Sequence, residues 1–247
     1  MRFLLSGEGP TDIGVSRPAA EGLQFAPGPM AWFVDRLLEP RLGYSFLELH
    51  ESGADCVRHV RETELATGAK PGSPLLPGVR FGKETAFFTR NAQVLGLMAQ
   101  QEANETGQPV IAVLFRDGDG TRSVARQQWK QKFDSIARGF QLVEFGSGVP
   151  MVPRPKSEAW LICALKAPPY HDCEVLENCP GNDNSPNALK AHLAELHGSE
   201  PGADVQADWV RTGRVDPTAI DMPSYVAFRN ALDQAASALG LGAAPGV

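Results

Sequence analysis

Four carboxylates stand at two turns of this sequence, in a pattern that could do metal chemistry. Glu8 and Asp12 lie in Gly7-Glu8-Gly9-Pro10-Thr11-Asp12, and Asp117 and Asp119 in Arg116-Asp117-Gly118-Asp119-Gly120-Thr121. Each turn follows a strongly apolar run, Phe3-Leu4-Leu5-Ser6 in the first case and Val110-Ile111-Ala112-Val113-Leu114-Phe115 in the second. Crowded carboxylates repel one another, and a divalent ion relieves that repulsion. Oxygen ligands of this kind suit Mg²⁺, Mn²⁺ or Ca²⁺ and not zinc. Asp117 and Asp119 alternate along an extended chain, so both reach one point if the strand end bends, and the neighbouring glycines leave room for a metal and a phosphate. The plainer reading is that Asp and Gly simply make turns and that Asp12 N-caps a helix. Two such turns, each after a buried strand, favour a site for one or two Mg²⁺ or Mn²⁺ ions on Glu8, Asp12, Asp117 and Asp119.

The elements that must position these groups follow from periodicity. Phe3–Ser6 and Val110–Phe115 read as strands, the second like a parallel strand covered on both faces. Helices are expected over 31–42, closed by Gly43, and over 84–101, 121–138 and 157–165. Tyr44–Leu49 and Leu142–Phe145 read as further strands, the latter followed by an apolar run over 149–152. A short helix is expected near Val57–Leu65. Strand and helix thus alternate over residues 1–165, which predicts an α/β fold: a mainly parallel sheet flanked by helices. Residues 51–82, polar and rich in Gly and Pro, read as a surface insertion. Residues 166–239 read as a helical C-terminal elaboration, with Ser185 and Pro186 opening one helix, Gly198 closing it and 224–239 forming the last. Residues 240–247 read as a flexible tail. One domain is expected.

Nearby residues extend the candidate site. Glu158 opens the helix at 157–165, as a fifth metal ligand or merely as an acid well placed at a helix N-terminus. Arg122, Arg126 and Lys130 recur every four residues and make one basic stripe beside the second acidic turn. With Lys156 they are the candidate phosphate contacts; the alternative is a solvated basic face. Trp129, Phe133, Ile136 and Ala137 form the opposite, core-facing side of the same helix.

Composition narrows the classes. The chain has 247 residues with a net charge of −6, which argues against broad electrostatic attraction to nucleic acid. Bound divalent ions would offset much of that charge. No apolar stretch approaches a membrane span, and the N-terminal run is too short for a signal peptide, so a cytoplasmic protein with no membrane partner is expected. Cys56, Cys163, Cys173 and Cys179 fit no zinc pattern and are expected as free thiols. No GxSxG elbow, Walker lysine, HExxH or dinucleotide fingerprint is present.

The order of these motifs resembles the Toprim domain, the metal-binding fold of topoisomerases, primases and OLD-type nucleases. Glu8 matches the glutamate in a Gly-rich turn after the first strand, and Asp117-Gly118-Asp119 matches the DxD motif after a later one. Asp12 looks like the extra acid of the OLD-type branch. Pro153-Arg154-Pro155-Lys156-Ser157-Glu158-Ala159-Trp160-Leu161 resembles a signature of uncharacterised Toprim-like proteins often found beside ATPases in bacterial defence gene clusters. The resemblance covers residues 1–165. It implies a Mg²⁺- or Mn²⁺-dependent nuclease with Glu8, Asp117 and Asp119 as catalytic residues, acting on nucleic acid (DNA before RNA) with a partner ATPase in phage defence.

Two departures from the family stand out. Glu8 and Asp119 are 111 residues apart, from 8 to 119, which requires an insertion. Only Tyr44, Tyr170 and Tyr225 are available as tyrosine nucleophiles and no zinc module precedes the fold, which speaks against topoisomerase and primase activity. Two rival readings stay open. Asp117-Gly118-Asp119-Gly120-Thr121 also resembles the DxDGT motif of haloacid-dehalogenase-type phosphatases, with Asp117 as nucleophile and Asp119 as acid/base. The chain could also be a non-catalytic partner or scaffold docking through residues 185–239.

Overall fold

The structure is a computed structural model that describes residues 1–9, 11–19, 22–68, 83–118, 126–185 and 187–242. Its centre is a parallel sheet of four strands, β1 (Arg2–Ser6), β4 (Val57–His59), β5 (Val110–Phe115) and β6 (Gly148–Met151), in the order β4-β1-β5-β6. Every residue of β1 and β5 is buried, as expected of strands covered on both faces. Side chains alternate between two cores. Phe3, Leu5, Ile111, Val113 and Phe115 face one cluster, while Leu4, Ala112 and Leu114 face the other.

Helices cover both faces. On the first lie α1 (Pro29–Leu42) and α6 (Ser157–Leu165). On the second lie α4 (Lys83–Thr106) and α5 (Arg126–Leu142), packed on each other. The later helices α7 (Leu189–His197), α8 (Ala203–Arg211) and α9 (Pro223–Ala238) share the core of the first face with β1, α1 and α6. Trp160 of α6 anchors that junction: it packs against Phe33, Tyr225 and Phe228, and its indole N–H donates to Ser224 Oγ at 3.0 Å. Among the described residues, no helix is long and apolar enough to cross a membrane.

Several elements differ from the sequence-based expectation. Tyr44–Leu49 is not a strand: Ser45 accepts the Glu48 N–H through Oγ and starts α2 (Phe46–Glu51). Buried Asp35 fixes that cap by accepting from Ser45 Oγ at 2.8 Å and Leu47 N at 3.0 Å. Leu142–Phe145 is the end of α5 and the turn after it, and the strand lies in the following apolar run instead. Residues 57–65 are the edge strand β4 followed by α3 (Glu62–Gly68), so part of the expected surface insertion completes the sheet; residues 69–82 lie outside the described residues. The unforeseen hairpin of β2 (Gly14–Ala19) and β3 (Gly22–Pro27) follows the first acidic turn. Ala188, not Ser185, is the N-cap of α7, because the preceding turn is closed by Ala188 N–H to Ser185 O at 3.1 Å; Pro186 lies outside the described residues. Gly198 does end α7, in the left-handed conformation.

Cys163 and Cys173, expected as free thiols, form a disulfide. The chain doubles back after α6, with the Tyr170 N–H donating to Cys163 O at 2.8 Å, and this return brings Cys173 over the helix end. Cys56 and Cys179 are free.

A candidate metal centre at the carboxyl edge of the sheet

The winding of the sheet reverses between β1 and β5. From β1 the chain passes to β4 on one side, then returns across β1 to β5 on the other. In such sheets the connections from the two central strands leave toward opposite faces and open a crevice at their carboxyl ends. Ser6 pairs with Leu114, so both acidic turns emerge side by side at that crevice.

The described acids converge there through hydrogen bonds. Glu8 Oε1 accepts the Asp117 N–H at 2.6 Å, joining one turn directly to the other. Asp117 Oδ1 accepts the Ser157 N–H at 3.3 Å, at the first residue of α6. Ser157 Oγ in turn donates to Asp12 Oδ1, and Thr11 Oγ1 donates to Asp12 Oδ2 at 3.2 Å. The Asp12 side chain is therefore no N-cap: it accepts the Ser157 hydroxyl of α6, while the Asp12 backbone carbonyl accepts the Met30 N–H in the first turn of α1, whose N-cap is Gly28. A third element, the start of α6, thus ties the two turns together. Ser157 was not singled out from the sequence, although it stands inside the Pro153–Leu161 run, between Lys156 and Glu158.

Electrostatics at this edge are uncomfortable for anions. Burial pushes the Glu8 carboxyl above its ordinary value, opposed by the Asp117 N–H and the Arg116 charge. Burial likewise raises Asp12, against its bonds from Ser157 and Thr11. Glu158 is raised by burial first, and the charge of Asp12 adds to it. Glu158 Oε2 is buried without a hydrogen-bond partner among the described residues. A hard cation would stabilise all three, so the donor chemistry fits Mg²⁺ or Mn²⁺. Among the described residues, however, no three Asp, Glu, His or Cys side chains close on one point as a finished metal cage. Asp119 lies outside the described residues.

Gly118 has a packing role beyond leaving space. Its N–H donates to Pro153 O at 3.0 Å, and a Cβ there would stand 2.4 Å from that same oxygen. The second turn can seat against the loop before α6 only because this position is glycine.

The expected phosphate contacts fare unevenly. Arg122 and the side chain of Arg126 lie outside the described residues. Lys130 is exposed and paired with Asp134 at 2.7 Å, one turn along the helix. Lys156 Nζ donates to Asp183 Oδ1 at 2.7 Å. The Lys156 charge acts on Asp12 and Glu158, and two cations that sequence reasoning passed over act on Glu8: Arg116, fully buried, and Lys132, nearly so. Arg116 was legible in principle, as a charged residue ending an otherwise apolar strand.

No protein-family model matches the chain, and neither a curated protein nor a solved structure matches it.

Proposed function

We propose that this chain is a divalent-metal-dependent nuclease of Toprim type, hydrolysing phosphodiester bonds at the crevice between β1 and β5. The observation that carries this reading is the hydrogen-bonded chain Glu8–Asp117–Ser157–Asp12 at the switch point of a parallel sheet. Glu8, Asp12, Asp117 and Glu158 are the described residues that would hold the metal, with Asp119 as the remaining member of the DxD motif. One or two bound Mg²⁺ or Mn²⁺ ions would supply charge stabilisation at the phosphoryl oxygens and an activated water. The chain's own groups orient and pre-charge that site. The Asp117 N–H fixes the Glu8 carboxylate, which leaves its second oxygen to act as ligand or general base. Ser157 sets the spacing of Asp12 and Asp117 from one residue, through its hydroxyl and its backbone N–H. Lys156, Lys130, Arg122 and Arg126 are the candidate phosphate contacts. The family resemblance adds a partner ATPase and a setting in phage defence.

The test is cleavage of plasmid, linear and single-stranded DNA and of RNA with Mg²⁺ or Mn²⁺, comparing the native chain with Asp117→Ala/Asp119→Ala. Cutting by the native chain alone supports the reading. Cutting that persists in the double variant removes the assignment. Hydrolysis of phosphate monoesters without any cutting would point instead to a phosphatase with Asp117 as nucleophile, and no metal binding at all to a scaffold.

A further inference from the structure

Arg116 continues the strand alternation one residue past β5. Its N–H still donates to Met151 O at 3.0 Å, so its side chain follows Ala112 and Leu114 onto the face covered by α4 and α5. The preceding two positions send apolar groups there; Arg116 sends a guanidinium that is 0% exposed. Nη1 donates to Phe115 O at 2.8 Å, but Nε and Nη2 have no hydrogen-bond partner among the described residues. The Glu8 charge acts on the guanidinium first and that of Glu62 next, and Glu62 Oε1 stands 3.9 Å from Nη2, at the outer limit of an ion pair. Glu62 begins α3, directly after β4, and is half exposed. Because β1 lies between β4 and β5, this loose pair spans the carboxyl end of β1, beside Glu8. Ser6, the last residue of β1, follows Leu4 onto the same face, and its buried Oγ also lacks a partner among the described residues. Lys132 of α5 is 4% exposed, with Nζ 5.4 Å from the centre of the Phe88 ring.

A buried guanidinium with unused N–H groups is costly unless an anion completes it, and its planar fork fits two phosphoryl oxygens. Glu62, loosely held and half in water, can swing aside at little cost. We propose that Arg116 is the phosphoryl-binding subsite of this edge, that the Glu62 carboxylate caps it in the free protein, and that a substrate phosphate displaces Glu62. This inference rests on the reading of the site as one that acts on phosphate esters. It moves the main phosphate grip from the basic residues expected at Arg122, Arg126 and Lys130 to a buried position next to Asp117.

The experiment is calorimetric titration of the full chain, in chelator and without metal, with inorganic phosphate and with a thymidine dinucleotide carrying one internal phosphodiester. Glu62→Ala should bind at least one probe about two- to fivefold more tightly, because the competing carboxylate is gone. Arg116→Lys should weaken the same probe by about tenfold or more. Tightening on phosphate identifies a terminal monoester as the ligand, and tightening on the dinucleotide an internal diester. Unchanged or weaker binding of both probes by Glu62→Ala overturns the proposal, as does a folded Arg116→Lys chain that binds like the native one. Should Arg116→Lys fail to fold, Glu62→Ala still decides. Neither metal nor cleavage enters this readout: a chain that shows both affinity shifts but never cuts nucleic acid sinks the nuclease reading and leaves the subsite standing.

Discussion

The Glu8 carboxylate accepts the backbone N–H of Asp117 at 2.6 Å, so the first acidic turn is fastened to the second across the break in winding between β1 and β5. The bond uses one Glu8 oxygen and a main-chain donor, and the Asp117 carboxylate is left to face α6. This separates the structural from the chemical role of Glu8. Glu8→Gln can still accept from the Asp117 N–H through its amide oxygen but carries no charge. It should keep stability within about 1 kcal/mol of the native chain while abolishing metal-dependent cleavage. Glu8→Ala leaves the N–H without its acceptor and should cost about 1–3 kcal/mol. Chemical denaturation read beside a cleavage assay separates the two variants.

Metal should stabilise the protein in a pH-dependent way. Glu8, Asp12 and Glu158 all titrate above their ordinary values because the protein around them, which leaves each only partly exposed, strips away water. For an acid raised by folding, the unfolded chain releases its proton first as pH rises, so the folded state loses stability from the ordinary carboxylate range up through the raised values. Bound cation reverses that loss by stabilising the ionised forms. The increase in melting temperature caused by Mn²⁺ should therefore be small near pH 4 and grow toward pH 7. Melting curves in chelator and in Mn²⁺ across that range measure it; a shift independent of pH would mean that these carboxylates do not hold the ion.

Ser157 should matter more than a surface serine. Ser157→Ala keeps the backbone N–H to Asp117 but removes the hydroxyl that holds Asp12. The expected cost is about 1–3 kcal/mol of stability, from a half-buried carboxylate losing a donor, with cleavage impaired. Ser157→Thr retains the hydroxyl and should recover most of the activity, which a purely steric role would not allow.

Gly118→Ala should displace the second turn as a unit. The new methyl would meet Pro153 O at 2.4 Å, a contact that neighbouring backbone can relieve only by moving. A loss of about 1–3 kcal/mol is expected, together with weaker Mn²⁺ binding. Calorimetry on the folded variant reports the second effect independently of the first.

Reduction should loosen the region after α6. Opening Cys163–Cys173 releases a short loop, worth about 2–3 kcal/mol in the chain-entropy account. A melting temperature lowered by dithiothreitol, with two more thiols titrated than before, is the expected outcome. An unchanged melting temperature and four reactive thiols in the untreated denatured chain would favour the free-thiol expectation and a reducing compartment.

What could be read from the sequence was whatever depends on local pattern. The unbroken apolar runs of β1 and β5 mark strands buried on both faces, and the acids immediately after them must then lie at strand ends. The α6 span was likewise legible from its own composition, and Gly198 from its place after the last apolar turn of α7. Short apolar stretches were not decidable in this way, because five or six residues satisfy both strand and helix periods. Tyr44–Leu49 becomes a helix because Asp35, ten residues before Ser45, fixes the cap. β4 is a strand only because β1 pairs with it over three residues. The carboxylates of the site were named by sequence, but their joining agent was not. Ser157 meets Asp117 from 40 residues away and Asp12 from 145, and Arg116 is buried by helices that no local pattern relates to it. Residue type and spacing thus determine which groups can carry charge to a strand end. Only the packing of α6 and α3 against that end decides which of them meet, and which stay buried without a partner.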